Sequence, residues 1–290
     1  MTSAAQTHFT ERMRQLLHVH VTRLSVAGAQ HGYKHLTAML ADGRAVFAKA
    51  APGPGQAAAF AAEANGLRWL AQAQAVPVPR VLGVAEDLLV IELLPPGHPT
   101  TEAAAGFGAG LARLHAAGAD AFGAPWPGFI ASLPLDNTPG REWGEWYAKQ
   151  RLVPYLRKAS DGGALSRVDI GLVEAVAARI GELAGPPEPP SRVHGDLWSG
   201  NVLWSGGRGW LIDPAAHGGH RETDLAMLTL FGAPHLDVIL RAYEEAVPLA
   251  GGWRDRVPLH QLHPLLVHAC LFGASYAGRL RAAARAALAA

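Results

Sequence analysis

Three oxygen-bearing side chains stand at spacings that suit phosphoryl transfer. Four residues separate Asp196 from Asn201, and Asp213 follows after two apolar runs, 202–204 and 210–212, that predict a hairpin. Phosphoryl transfer depends on alignment and charge neutralisation, which a carboxylate facing the attacking hydroxyl and two oxygen ligands for Mg²⁺ supply. The spacing therefore predicts Asp196 as the catalytic base, with Asn201 and Asp213 as the metal ligands.

A lysine and a glutamate upstream complete this arrangement. The chain has only four lysines, and Lys49 ends the predicted strand 45–50 in a Val-Phe-Ala-Lys run. That run is similar to the kinase strand whose lysine holds the α- and β-phosphates of ATP. Glu63, on the predicted helix 56–75, is the expected ion-pair partner of Lys49. A solvated lysine and a surface glutamate are the alternatives.

Composition limits the classes of partner. The chain has 290 residues, enough for two lobes, and a formal net charge of +1 without a long Lys/Arg run. We therefore expect a small charged metabolite and no nucleic-acid partner. No apolar run approaches the roughly 20 residues of a membrane span, and residues 1–10 lack a secretion signal, so we expect no membrane association and a cytoplasmic location. The single Cys270 is expected to be structural.

The spacing of apolar residues predicts strands in the first third of the chain and helices in most of the rest. Asp42-Gly43 predicts a hairpin turn between two strands. The expected strands are 36–40, 45–50, 81–84 and 88–93, and the expected helices are 8–24, 56–75, 101–118, 222–246 and 258–288.

Longer motifs around the catalytic residues resemble the fructosamine kinase, or ketosamine kinase, family. They are the run His194-Gly195-Asp196-Leu197-Trp198-Ser199-Gly200-Asn201, the segment Asp213-Pro214-Ala215, and residues 219–227 with the sequence GHRETDLAM. A His-Gly-Asp triplet with a trailing Asn occurs in many small-molecule kinases, whereas LWSGN and GHRExDLAM are more particular. The similarity extends through residues 143–155 and 259–280 and covers most of the chain.

The resemblance implies an α+β, bilobal, protein-kinase-like fold. Residues 1–94 would form the small nucleotide-binding lobe, with an antiparallel sheet and a helix, and residues 95–290 the larger, mostly helical catalytic and substrate lobe. The implied activity is Mg²⁺- and ATP-dependent phosphorylation of a ketosamine at the 3-hydroxyl of its sugar, in deglycation repair. The ketosamine could be a small molecule or attached to a protein, and the enzyme a monomer or a homodimer. Pro214-Ala215 replaces the Phe-Gly of protein kinases, so we expect no phenylalanine switch.

The nucleotide-binding segments carry the weakest sequence signals. The phosphate loop is expected between the first two strands, at residues 27–33, where Gly28 and Gly32 remain and His31 intrudes. The family's adjacent glycines, and the cysteine of some branches, are absent, so no thiol control of this loop is expected. Whether His31 contacts phosphate or solvent stays open. Adenine is expected against the backbone from Glu92 to Leu94, which is an inference from the lobe geometry.

Substrate residues are expected close to the catalytic loop. Trp198 could stack on a sugar ring or only pack, and His217 and Arg221 could meet substrate or cap the helix that starts near residue 222. His194 and Asp224 are expected to be structural.

Two other classes of function stay open. A related kinase for an aminoglycoside, choline or a homoserine-like hydroxyl would share every catalytic residue, but it would not explain the LWSGN and GHRExDLAM runs. A pseudokinase that only binds nucleotide would be expected to lack Lys49, Asp196, Asn201 or Asp213, and all four are present.

Overall fold

The N-terminal part is built on one five-stranded antiparallel sheet. The computed structural model describes residues 3–30 and 32–290. Every neighbouring strand pair of this sheet is antiparallel, and the order is β1-β2-β3-β5-β4. Its elements are α1 (Ser3–Leu17), β1 (Val21–Gln30), β2 (Tyr33–Leu40), β3 (Ala45–Ala50), α2 (Ala57–Ala71), β4 (Val81–Val84) and β5 (Leu88–Glu92). The strands predicted from the sequence are confirmed.

The first predicted helix is too long at its C-terminal end. Helix α1 ends at Leu17, and His18 has a φ of +55°, which does not continue a right-handed helix. Val21 then begins β1 and pairs with Leu40 of β2. The apolar spacing up to residue 17 belongs to a helix whose Phe9 and Met13 pack under the sheet. The residues of β1 form their backbone hydrogen bonds with β2. This pairing between distant residues cannot be detected from helical periodicity.

The C-terminal part is mostly helical with three two-stranded ribbons. These ribbons pair β6 with β7, β8 with β11, and β9 with β10. The helices are α3 (Thr101–Ala116), α4 (Trp143–Tyr147), α5 (Val153–Asp161), α6 (Arg167–Ala178), α7 (Ile180–Leu183), α8 (Arg221–Phe231), α9 (Leu236–Ala246), α10 (Trp253–His260), α11 (Leu262–Phe272) and α12 (Ala277–Ala289). The strands are β6 (Gly128–Ile130), β7 (Leu133–Leu135), β8 (Ser191–Val193), β9 (Val202–Ser205), β10 (Arg208–Leu211) and β11 (His217–Gly219). Within residues 3–30 and 32–290, no helix is long and apolar enough to cross a membrane.

The two long helical runs predicted near the C-terminus are each divided. Gly232 and Gly273 follow α8 and α11 with φ of +74°, a value that glycine adopts without steric cost. The chain therefore turns at these points, and α8 to α12 pack on one another instead of forming two rods.

Candidate active site

The three predicted catalytic residues line one cavity. Asp196, Asn201 and Asp213 meet in a space of about 670 Å³, together with Lys49 and Glu63 from the N-terminal part. Asp196 and Asn201 lie on the loop after β8, and Asp213 follows β10. The ribbon of β9 and β10 brings the chain back beside Asn201, where Ile212 N–H donates a hydrogen bond to Asn201 O at 3.1 Å. Residues far apart in sequence thus share one centre.

Asp224 and His194 fix the catalytic loop from behind. The carboxylate of Asp224, on α8, accepts hydrogen bonds from the backbone N–H of His194 at 2.7 Å and of Gly195 at 3.0 Å. His194 Nδ1 accepts from Asp196 N–H at 3.2 Å, so its Nε2 carries the proton and donates to Ile212 O at 2.9 Å. Burial lowers the pKa of His194 and favours this neutral form. Both residues act structurally, as the sequence suggested.

Asp196 and Asn201 are directly connected. The amide Nδ2 of Asn201 donates to the backbone oxygen of Asp196 at 2.8 Å and to its carboxylate Oδ2 at 3.1 Å. Burial raises the pKa of Asp196 to about 7, and the Asn201 hydrogen bond only partly offsets that effect. The charge of Asp213 raises this pKa further. Asp196 is therefore poised to exchange a proton near neutral pH.

Lys49 forms ion pairs with two carboxylates. Its Nζ lies 2.6 Å from Glu63 Oε2 and 2.9 Å from Asp213 Oδ1, and the residue is 2% exposed. Burial alone would lower the pKa of Lys49, but the two carboxylates outweigh it and raise that pKa. Lys49 is thus held as a cation between the sheet, α2 and the segment after β10. The ion pair with Glu63 that the sequence predicted is present.

The donor set at Asn201 and Asp213 fits a hard divalent cation. Because Nδ2 of Asn201 is engaged with Asp196, its amide oxygen is left for another ligand. Asp213 has a φ of +54°, an uncommon value for a non-glycine residue and one that recurs at functional sites. Amide and carboxylate oxygens are the ligands that Mg²⁺ takes in phosphotransferases.

The predicted nucleotide residues are only partly gathered at the cavity. Gly28 lies within β1 opposite His35, and Gly32 stands in the turn before β2 with a φ of +84°. Neither lines the cavity, and neither do Glu92 and Leu94. The N–H of Glu92 is bonded to Arg80 O. His31 falls outside the described residues. The roles of these residues in binding nucleotide stay predictions.

Two predicted substrate residues lie away from the cavity. His217 is 5% exposed, and its Nδ1 contacts Ala215 O at 2.7 Å. Arg221 forms a two-bond ion pair with Glu188 at 2.6 and 2.7 Å. These contacts fix both side chains outside the cavity lining, and their roles toward substrate stay predictions. Trp198, by contrast, lines the cavity and is 41% exposed.

An aromatic wall beside Trp198 was not found from the sequence. We call it the acceptor wall, and it consists of Trp126, Phe129, Trp198, Phe231, His268, Phe272 and Tyr276. His268 packs against the rings of Phe231, Phe272 and Tyr276 at centroid distances of 4.8 to 5.5 Å. These residues come from four separate segments, so no local spacing marks them.

A second polar cluster has a structural explanation. His220, Glu222 and His260 place possible metal ligands within 4.8 Å of one another. The Glu222 carboxylate, however, already accepts two hydrogen bonds from Arg256, at 2.6 and 3.0 Å. The guanidinium supplies the positive charge that a cation would bring, so this cluster is a buried ion pair that fixes α8 to α10.

Fold and site together define the class of protein. An aminoglycoside phosphotransferase, APH(2'')-Ib in its ADP-bound form, has the same fold at 13% sequence identity, with a TM-score of 0.65 over 99% of each chain. The protein is a protein-kinase-like phosphotransferase with a hydroxyl acceptor. The model of the fructosamine kinase family matches residues 1–290, and the chain belongs to that family.

Closer relatives agree with this assignment. A solved structure from Thermobifida fusca YX-ER1, which carries the provisional name fructosamine-3-kinase, is 52% identical with a TM-score of 0.93. The match covers 97% of this chain and 98% of that one. A probable ketoamine kinase of Thermus thermophilus is 38% identical over 225 residues, which are 76% of this chain and 79% of that protein.

Proposed function

We propose that the protein transfers the γ-phosphoryl group of ATP to the 3-hydroxyl of a ketosamine, in deglycation repair. The observation that carries this proposal is the meeting of Asp196, Asn201, Asp213 and Lys49 in one cavity with an aromatic wall. In this proposal residues 1–94 contribute the nucleotide side and residues 95–290 the acceptor side. Membership of the fructosamine kinase family supports the substrate class.

Each catalytic side chain has a distinct task in this reaction. Asp196 accepts the proton of the sugar hydroxyl as that oxygen attacks, and its pKa near 7 suits this role. Lys49, fixed by Glu63, contacts the phosphates. Asn201 and Asp213 would hold Mg²⁺, which supplies neutralisation of the phosphate charge when bound. Because Lys49 contacts Asp213 directly, nucleotide and metal binding are expected to rearrange this ion pair.

The acceptor wall favours a ketosamine over an aminoglycoside. An aminoglycoside carries several ammonium groups, which require carboxylates for recognition. Among the cavity-lining residues that the structure describes, the carboxylates are Glu63, Asp196 and Asp213, all within the catalytic centre. Aromatic rings instead suit the apolar face of a sugar and a single ammonium group, through stacking and cation–π contact.

A substrate panel tests the proposal. The protein is incubated with Mg-ATP and fructosyl-, ribulosyl- and erythrulosyl-amines beside an aminoglycoside and choline, and ADP release is measured. We expect turnover with the ketosamines and, by NMR of the product, phosphate on the third carbon. Phosphorylation of only the aminoglycoside or choline would contradict the proposal. In the same assay Asp196→Asn is expected to remain folded and to bind ATP while losing most of its turnover.

A further inference from the structure

The hairpin of β6 and β7 forms one side of the acceptor wall but has little stability of its own. Trp126, Phe129, Ile130 and Ala131 line the cavity from this segment. Each strand has three residues, too few for an isolated hairpin to persist in water. Ala131, at the tip, has a φ of +51°, a conformation that costs energy for any residue with a Cβ atom. Contacts from outside the hairpin must therefore hold it in place.

The side-chain hydrogen bonds to this hairpin and its flanks include a set from one helical segment, residues 143–155. Arg151 Nη1 donates to the backbone oxygen of Asp136, and its Nη2 donates to Asn137 Oδ1 at 2.8 Å. The Asn137 amide then donates to the backbone oxygen of Trp126 at 3.3 Å. This chain of hydrogen bonds links Arg151 to a residue of the acceptor wall. Tyr155 adds a second attachment, because its hydroxyl donates to Pro134 O at 2.7 Å.

Arg151 is an unusual residue to bury for stability alone. It is 1% exposed, and within the described part of the chain it forms no ion pair with a carboxylate. Its guanidinium lies 4.2 Å from the ring centre of Trp146, whose indole N–H donates to Thr138 O at 2.9 Å. Burial lowers the pKa of Arg151 to about 10, so it remains a cation at neutral pH. A planar fork with several donors can fix two acceptors at once, which an apolar side chain cannot.

The local helix geometry brings Arg151 into this position. Residues 148–152 form a π-helical turn between α4 and α5, a feature that is rare and recurs at functional sites. Gln150, Arg151 and Leu152 are all buried, a consecutive run that an amphipathic surface helix does not produce. The turn lies in residues 143–155, a stretch of family resemblance to which the catalytic chemistry gives no role.

We propose that Arg151 is a positioning residue that holds the 126–138 segment against the cavity and thereby sets the affinity for the acceptor. Arg151 does not itself line the cavity. The effect on acceptor kinetics rests on the proposed function, whereas the placement of the segment does not. The two are therefore measured separately.

The first measurement is hydrogen exchange, which needs no substrate. In Arg151→Met we expect the amides of residues 126–138 to exchange faster than in the wild type, with the catalytic loop 194–201 unchanged. Arg281→Met is the matched control, since Arg281 is bonded to buried Asp169 at 2.7 Å and not to this segment. Equal exchange in wild type and Arg151→Met, or equal acceleration in both variants, would overturn the proposal.

The second measurement separates the two Michaelis constants, with fructosyl-lysine as the acceptor. We expect Arg151→Met to raise the KM for fructosyl-lysine by roughly tenfold or more, with the KM for ATP within about twofold of the wild type. Arg151→Lys should recover little, because one ammonium cannot replace the fork. An unchanged KM for the acceptor, or an equal rise in both constants, would refute the role in acceptor binding.

A milder variant keeps the test decisive if Arg151→Met does not fold. Arg151→Lys keeps the buried positive charge but cannot bond Asp136 O and Asn137 Oδ1 with a planar fork. It should accelerate exchange in the same segment and raise the KM for the acceptor alone, and unchanged exchange would count against the proposal. If the wild type phosphorylates no ketosamine, the proposed function fails, while the exchange data still decide whether Arg151 positions the segment.

Discussion

Asp196 shows how the environment of one residue prepares it for chemistry. Its carboxylate is partly enclosed beside Asn201 and within the field of Asp213, and burial raises its pKa to about 7. An ordinary exposed aspartate would be fully ionised there and a weaker proton acceptor. Asp224 has the same side chain, but its carboxylate is hydrogen-bonded to His115 and accepts hydrogen bonds from two backbone N–H groups. These interactions outweigh the effect of burial and lower the pKa of Asp224.

This difference predicts the pH dependence of turnover. Asp196 must be deprotonated to accept the hydroxyl proton, and its raised pKa means that the inactive protonated form accumulates below about pH 7. We expect kcat/KM for the ketosamine, at subsaturating ATP, to fall about tenfold for each pH unit below that pKa. ATP binding measured over the same range is the control. A rate that stays flat down to about pH 5 would remove Asp196 as the titrating base.

At the scale of elements, close helix packing places the catalytic loop. Helix α3 lies directly against α9, and a Cβ atom added at Gly108 would come within 2.2 Å of Ile239 O. His115, near the end of α3, contacts both Tyr243 of α9 and Asp224 of α8, at 2.8 and 3.1 Å. The same helix pair thus supports the residue that braces the catalytic loop.

Two glycines on α3 provide a matched test of this packing. Gly108→Ala should destabilise the protein by about 1–3 kcal/mol, because the α9 backbone cannot move aside cheaply. Gly106→Ala, on the same helix with no atom within 4 Å of the added methyl, should stabilise it by about 1 kcal/mol. The free energy of unfolding from urea denaturation gives both values. Changes of the same sign in both variants would be inconsistent with the close approach of α3 and α9.

At the scale of the whole molecule, Lys49 connects the N-terminal sheet to the candidate active-site residues of the C-terminal part. It stands on β3 of the N-terminal sheet and reaches Asp213, 164 residues further along the chain. Gly66 of α2 also lies close to the same segment, because a Cβ atom added there would come within 3.3 Å of Pro214 Cγ and 3.2 Å of Ala216 Cβ. The sheet and the segment 213–216 are thereby held together across the cavity.

Replacing Lys49 should separate nucleotide binding from folding. In Lys49→Met we expect a lower Tm, since Glu63 loses its buried cation, and little further rise in Tm when Mg-ATP is added. Lys34→Met, on neighbouring β2, is the control and should keep the full nucleotide-induced rise. The comparison is made by thermal unfolding with and without Mg-ATP. A wild-type rise in Lys49→Met would exclude a phosphate contact for Lys49.

Residues whose function depends on local spacing could be predicted, and residues gathered by packing could not. The centre of Asp196, Asn201 and Asp213 is encoded in one loop and one short ribbon, and Lys49 with Glu63 in one strand and the following helix. His217 and Arg221 lie outside the cavity lining, and the sequence could not show this because it does not reveal how β11 and the start of α8 pack. The sequence did not point to Arg151, because its proposed positioning role depends on a hydrogen bond to a carbonyl group fifteen residues away.

The sequence by itself indicated the family and predicted the chemistry, because the proposed metal ligands, base and phosphate-binding lysine occur at characteristic spacings within short elements. Only the tertiary structure decided which aromatic residues form the acceptor wall, where α1 ends, and how Asp196 acquires its raised pKa. Each of these depends on burial and on contacts between segments distant in the chain. Such contacts are set by the packing of the whole molecule and leave no periodic trace in the sequence.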